Sequence, residues 1–405
     1  MFVCLYVGAQ NSFFEEVARQ SGLSHNHSWD DLIPSVDKRV TAALAVGDYN
    51  LDGLVDVYFE TGQSSTNRLY QNIGNGQFID QTVEAGLEMY DFAGGGCLFV
   101  DINDDQYPDL ILGGLSGFET KVFLNNKDGT FADWTYESGL NCIVNVYSIT
   151  AGDYDLNGTI DLFLTHWNTN EYETHLWKNN GIGKFVAADE EAGLYNPYPA
   201  YSDFSFVANF CDINNDFYPE ILVVGDFGTS HVWLNQRDGS FRLDTENTFS
   251  DENGMGAAIA DFDSDGDPDW FVSSIYDYDG VTEGNWGSSG NRMYENVGNG
   301  QFEEVSEPLN LRNGSWGWGS SFADIDLNGV LDIVHTNGWP RGADQFYYDS
   351  TRLFLAMENG TYSDFADRLG LVDTLQGRGV STWDYDNDGD IDILVSNYEL
   401  TLRKI

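Results

Sequence analysis

Basic side chains are scarce in this chain. Its 405 residues include only 18 Lys and Arg, 6 of them Lys, against 66 Asp and Glu, for a formal net charge of −48. Such a chain lacks the cationic patches that grip phosphate, which excludes nucleic acid and an anionic membrane surface as partners. Long apolar runs are missing too: no stretch approaches the ~20 apolar residues that span a bilayer, so no transmembrane segment is expected. Cys4, Cys97, Cys142 and Cys211 are the only cysteines and show no paired spacing. The last three lie in or beside apolar strand-like runs and read as buried free thiols. Six His, with no repeated His–acid constellation, offer little for acid–base chemistry.

Glycine, by contrast, is abundant at 44 residues, aromatics reach 15%, and proline stops at 8. That balance predicts an all-β chain of short strands and tight turns rather than disorder. Residues 1–10, MFVCLYVGAQ, carry a short apolar run ending in small residues, which suits the remnant of an export leader although a basic start is missing. Residues 11–405 read as one domain.

One nonapeptide recurs seven times: DYNLDGLVD from Asp48, DINDDQYPD from Asp101, DYDLNGTID from Asp153, DINNDFYPE from Asp212, DFDSDGDPD from Asp261, DIDLNGVLD from Asp324 and DYDNDGDID from Asp384. Their starts lie 53, 52, 59, 49, 63 and 60 residues apart, a period suited to propeller blades. Apolar strand-like runs flank each one. A second motif follows the first six, as in RLYQNIGNGQFIDQTVEAGL, whose Asn-Gly centre between apolar runs signals a hairpin. Each period therefore holds four strands. The expected fold is a seven-bladed β-propeller of four-stranded blades, closed by an N-terminal strand within Phe13 to Leu23 that completes a three-stranded last blade.

Oxygen ligands at positions 1, 3, 5 and 9 of the nonapeptide, with a carbonyl at 7 and Gly at 6 for the sharp turn, can wrap one hard cation. No Cys or His takes part, so Ca2+ is the expected ion, at up to seven sites. The candidate ligands are Asp48, Asn50, Asp52 and Asp56; Asp101, Asn103, Asp105 and Asp109; Asp153, Asp155, Asn157 and Asp161; Asp212, Asn214, Asp216 and Glu220; Asp261, Asp263, Asp265 and Asp269; Asp324, Asp326, Asn328 and Asp332; Asp384, Asp386, Asp388 and Asp392. Gln106 and Phe217 replace the position-6 Gly in the second and fourth loops. Those two, at Asp101 and Asp212, are expected to use a different turn and to bind most weakly, and the Asp-rich fifth and seventh most tightly. Seven ions, fourteen positive charges, would bring −48 only to −34. The remaining acidity suits a solvated surface in saline surroundings.

RLYQNIGNGQF, SWGWGSSFADIDLNG and GRGVSTWDYDNDGDIDILVSN resemble the FG-GAP/VCBS repeat family, whose calcium-loop blades also build the integrin α-subunit propeller. Within it the chain is most similar to the cartilage acidic protein and UnbV (ASPIC) group. The resemblance implies metal ligands at loop positions 1, 3, 5 and 9. It also implies an extracellular, cell-surface or periplasmic location. Members of that group commonly continue into a C-terminal domain that does not follow Ile405 here.

The loops and the hairpins fall on one face, and the longer, variable links on the other. Those links gather Trp167, Trp286, Trp339, Arg341 and Tyr347, candidates for binding a protein or glycan ligand, with Trp318 and Tyr348 beside them. Trp316 and Trp318 read as blade packing. An adhesive, non-enzymatic interaction module is the favoured function. The alternative is a carbohydrate-binding or polysaccharide-lyase propeller, in which Arg341, His166, His335 and Tyr347 would be the catalytic candidates.

Overall fold

The structure, a computed structural model, describes residues 3–8, 14–24, 27–28, 39–169, 173–199, 202–277, 287–339 and 346–398. It is an all-β propeller. Seven first strands, Leu44–Gly47, Gly94–Val100, Val146–Gly152, Asp203–Cys211, Gly256–Ala260, Gly317–Ala323 and Gln376–Trp383, each end one residue before a nonapeptide. Seven second strands begin on its ninth residue: Asp56–Phe59, Asp109–Gly114, Asp161–Thr169, Glu220–Gly225, Asp269–Ser273, Asp332–Asn337 and Asp392–Tyr398. The register is the same every time, the residue before the loop pairing with the ninth, as in Gly47 with Asp56 and Trp383 with Asp392. Third and fourth strands follow as hairpins, for example Arg68–Asn72 with Phe78–Asp80. Second-strand residues are buried throughout except Trp167 and Asn168 near the far end of Asp161–Thr169, as expected of strands packed on both faces.

Five sheets have four strands. The third and fourth repeats instead share one eight-stranded sheet, because Asp161–Thr169 and Asp203–Cys211 run long and pair at Trp167 with Phe204 and at Thr169 with Asp203. The sheet containing the last repeat differs from expectation. Its order runs Phe14–Glu16, Val3–Gly8, Asp392–Tyr398, Gln376–Trp383, so two N-terminal strands join two from the last repeat. Val3–Gly8, within the segment read as a leader remnant, pairs directly with Asp392–Tyr398. Beyond the fourth strand the EAGL ends of the hairpins form short turns, such as the helical turn Asp189–Ala192, which Gly193 stops at φ 72°.

One cavity of about 240 Å³ is lined by residues from the first strand of every repeat, among them Leu44, Cys97, Ile149, Val207, Ala257, Ser320 and Val380. Adjacent first strands touch in sequence order, and Gln376–Trp383 also touches Leu44–Gly47. Cysteine departs from expectation: Cys97 and Cys211 are half-buried, and Cys142 is exposed because it lies in the turn before a strand. Cys4 lies outside the residues whose side chains are described.

A recurrent asparagine ties each repeat to the one before it. At the end of the third strand its amide donates to the backbone carbonyl of position 2 in the preceding loop: Asn72 to Tyr385, Asn125 to Tyr49, Asn179 to Ile102, Asn235 to Tyr154 and Asn296 to Ile213, at 2.8 to 2.9 Å. The sixth repeat has Ala356 at this place. Replacing Asn235 by Ala strands buried carbonyls and is expected to cost about 1–3 kcal/mol. Ala356→Asn is expected to return about 0.5–1.5 kcal/mol through the Phe262 carbonyl. Urea midpoints of the two variants, moving in opposite directions, check this.

Candidate functional site

All seven nonapeptides fold into the same turn. The position-1 carboxylate accepts the backbone N–H groups of positions 5 and 6 at 2.6 to 3.1 Å. One position-5 oxygen accepts the position-7 N–H at 2.8 to 3.1 Å. The second and fourth loops share these bonds, so the expectation of a different turn is corrected. Gln106 and Phe217 take φ 75°, inside the left-handed region that the glycines of the other five loops occupy at 87° to 98°. A feature the sequence reading missed is that position 4 is left-handed as well, at φ 54° to 65°, even where it is Leu51, Leu156 or Leu327. Each such leucine costs about 1–2 kcal/mol.

Position 9 is the buried end of the site. Asp56, Asp109, Asp161, Glu220, Asp269, Asp332 and Asp392 are fully shielded from solvent. In six repeats one of its oxygens accepts the N–H of the last third-strand residue, from Asn72, Asn125, Asn179, Asn235, Asn296 or Ala356, at 2.7 to 3.3 Å. In the first five of these the same asparagine makes the inter-repeat bond, so the acidic loop and the junction with the preceding repeat share a residue.

Several buried oxygens have no hydrogen-bond donor: Asp155 Oδ1 and Asp161 Oδ2 in the third loop, Asp386 Oδ1 and Asp392 Oδ1 in the seventh. Oxygens of Asp153, Asp155 and Asp161 lie within 4.8 Å of one another, as do those of Asp261, Asp263 and Asp265, of Asp324, Asp326 and Asp332, and of Asp384, Asp386 and Asp392. Unpaired carboxylate oxygens this close repel unless a cation or proton joins them. An all-oxygen donor set of this kind fits a hard divalent ion.

Without a cation, protons take its place. Burial, reinforced by the neighbouring loop carboxylates, pushes Asp56 and Asp392 up to about 8 and Asp109, Asp161, Glu220 and Asp269 to about 7. Burial raises Asp332 to about 6. The folded state then holds protons that the unfolded chain has already released above its ordinary carboxylate pKa of about 4. The sign follows: stability is highest near pH 4 and is lost as pH rises through 6 to 8. Thermal midpoints in EDTA are expected to fall between pH 5 and 8, and calcium to flatten that slope. A flat or rising EDTA profile would contradict this assignment.

The aromatic candidates gather at the opposite ends of the strands from the acidic loops. Trp167, Trp316, Trp318 and Trp339 line one cavity of about 150 Å³ together with Asp226 and Asn253. Trp339 stacks on Trp316 at 4.8 Å and 2°, and on Trp318 at 6.0 Å. Trp167 stacks on Phe206 and sends its indole N–H to Asp226 Oδ2 at 3.3 Å. Trp316 and Trp318 are buried and pack, as expected, while also lining the cavity. Tyr347 lies away from it, edge-on to Tyr348. Trp286 and Arg341 lie outside the described residues.

His166 and His335, candidates for a lyase base, are fully buried. Burial holds both near pKa 4. The rings of His166 and His335 are engaged, His166 with the Asn145 and Thr174 carbonyls at 3.1 and 3.2 Å and His335 with Asn291 at 3.2 Å. A buried, neutral, engaged imidazole is poorly placed to take a proton from a polymer. Sequence reading missed a histidine–carboxylate pair: His175 Nε2 lies 2.8 Å from Asp203 Oδ2, both side chains buried, with Nδ1 donating to the Leu164 carbonyl at 2.7 Å.

Four stretches of the chain, 48–112, 101–164, 212–272 and 276–335, match a family described as FG-GAP-like repeat, and together they cover more than half of it. No curated protein matches significantly. Among solved structures, the chain resembles an Agrocybe aegerita lectin described as recognising non-reducing terminal N-acetylglucosamine, at 15% identity and TM-score 0.54, covering 99% of this chain and 96% of that one. BBS1N, in complex with ARL6DN, aligns at 9% identity and TM-score 0.48, covering 89% and 93%. Rhamnogalacturonan lyase YesW aligns at 12% identity and TM-score 0.43, covering 90% and 73%. At such identities the lectin likeness speaks to the fold alone, and the two lower-scoring alignments carry no argument. No helix among the described residues is long and apolar enough to cross a membrane.

Proposed function

The chain belongs to the FG-GAP-like repeat family, and from that premise we propose that it is a calcium-stabilised propeller of seven blades, closed into a ring, that works as a non-enzymatic recognition module. The observation that carries the calcium reading is the convergence of buried carboxylate oxygens that lack donors in the third and seventh loops. Positions 1, 3, 5 and 9 of the loops would hold the ion, which supplies positive charge to carboxylates of which only Asp105, Asp155 and Asp216 meet a Lys or Arg among the described residues. The protein's own part is to fix the turn through backbone N–H groups and to transmit its order through the third-strand asparagine. Ring closure is supported by the Asn72 amide, which reaches the Tyr385 carbonyl of the last repeat at 2.9 Å, and by the cavity that all seven first strands line. The pairing of Val3–Gly8 supports counting those residues in the domain.

The ligand is proposed to dock on the face opposite the loops, over Trp167 and Trp339, with Trp286, Arg341 and Tyr347 as further contacts. A protein or glycan partner in an extracellular, cell-surface or periplasmic setting fits an acidic module that uses millimolar calcium. Kinship with integrin α-subunit propellers and with the cartilage acidic protein and UnbV group belongs to this proposal. Glycan binding is the second reading, favoured by indole faces beside Asp226 and Asn253. A glycan array with and without EDTA, run beside an assay on uronic-acid polymers, tests both. Calcium-dependent binding without cleavage is expected, and product formation would overturn the non-enzymatic reading.

A further inference from the structure

The seven loops are not chemically equal, and the difference lies outside them, in the adjoining hairpins. The residue two beyond the third-strand asparagine is Gly74, Gly181 or Gly298 in the first, third and fifth repeats, with φ between 77° and 106°. In the second and fourth it is Lys127 or Arg237, in the same left-handed region at 66° and 62°. These two repeats are also the ones whose loops carry Gln106 and Phe217 at position 6. Each basic side chain reaches the position-5 carboxylate of its own repeat's loop. Lys127 Nζ lies 3.3 Å from Asp105 Oδ2, and Arg237 places Nε at 2.8 Å and an Nη at 2.7 Å from Asp216 Oδ2. The other oxygen of both carboxylates already accepts the position-7 N–H. Position 5 is therefore satisfied on both sides without a metal.

We propose that Lys127 and Arg237 are built-in counter-ions that take over the metal's role in the second and fourth loops. The proposal rests on the calcium reading of the remaining loops. Two substitutions in each repeat, one in the loop and one in the hairpin, place non-glycine residues in left-handed backbone, a strain that calls for an offsetting interaction. The ion pair supplies it. Calcium entering such a loop has to displace the cation from a ligand or sit beside it against like-charge repulsion. The pairs are partly exposed and individually weak, and the amide oxygens of Asn103 and Asn214 keep no donor. The effect is accordingly a graded loss of affinity, at least about tenfold. Among the described residues no Lys or Arg contacts the carboxylates of the first, fifth, sixth or seventh loop. Lys178 meets Asp155 at 2.5 Å in the third. It rises from the strand and touches position 3, and that loop keeps Gly158 and Gly181, so the proposal does not extend to it.

Hydrogen–deuterium exchange of the full chain, read peptide by peptide across a calcium titration from EDTA, tests the inference. Calcium is expected to slow exchange across 261–269 and 384–392, whereas 101–109 and 212–220 respond only at concentrations at least about tenfold higher. Lys127→Gly and Arg237→Gly, which also relieve backbone strain, are each expected to bring the response of their own loop down to the common range. If wild-type 101–109 and 212–220 respond alongside the others, the counter-ion role is overturned and the calcium reading stands. Failure of both variants to gain sensitivity overturns it equally. No response in any loop overturns the calcium reading, and this inference with it.

Discussion

Asp203→Asn is expected to destabilise the protein by about 3–5 kcal/mol, the cost of leaving one member of a buried ion pair without its partner. His175 immediately precedes the third strand of one repeat, Leu176–Asn179, and Asp203 opens the first strand of the next, at the point where two repeats merge into one eight-stranded sheet. Despite burial, the Asp203 carboxylate beside it raises His175 to about 9, with the Leu164 carbonyl accepting its other N–H. His231, whose ring meets the Thr229 carbonyl at 2.8 Å, is instead lowered by burial to about 4. The sign is that of a raised folded pKa. The pair's contribution is complete below the ordinary histidine pKa of about 6.5 and is lost as pH rises through 9. Chemical denaturation at pH 6 and pH 9.5 reads both parts. The gap between wild type and variant is expected to be largest at pH 6 and to shrink at pH 9.5. An equal gap at both values would assign the loss to packing and contradict the charged pair.

The propeller was legible because its marker is local. Seven Asp-rich turns, each flanked by apolar runs, set the strand boundaries to the residue, down to the pairing of Val100 with Asp109 and of Ala260 with Asp269. Where the sequence said less, the signal was ambiguous or distant. An apolar strand such as Val3–Gly8 has the same composition as the core of a leader, and its pairing with Asp392–Tyr398, at the other end of the chain, is not written in the local residues. Four-residue helical turns such as Ser306–Leu309 are too short to show a period. The His175–Asp203 pair was invisible because it forms only when two repeats pack. The asparagine links were readable yet missed: each follows two or more strand residues after an Arg, Lys, Leu or His, and the Ala356 exception stands out only after the other five are aligned. For the loops, residue identity gave the ligand set, but the reach of Lys127 and Arg237 depends on hairpin backbone angles that composition does not reveal.

Calcium removal is expected to have the largest effect of all, because many loops contribute at once. A site held at a hundred times its dissociation constant adds about 2.7 kcal/mol to the folded state. A few such sites together rival the whole stability of an ordinary domain, roughly 5–15 kcal/mol. The position-9 acids sit at the root of both the loop and the inter-repeat bond, so a loop that loses its ion also loosens its junction. Thermal unfolding of the same preparation in EDTA and in millimolar calcium, at pH 8 where the loop carboxyls are least protonated, therefore addresses the central claim most directly. The account predicts a midpoint higher in calcium by on the order of 10 °C or more, with magnesium giving a much smaller shift. An identical midpoint in EDTA and in calcium would contradict it.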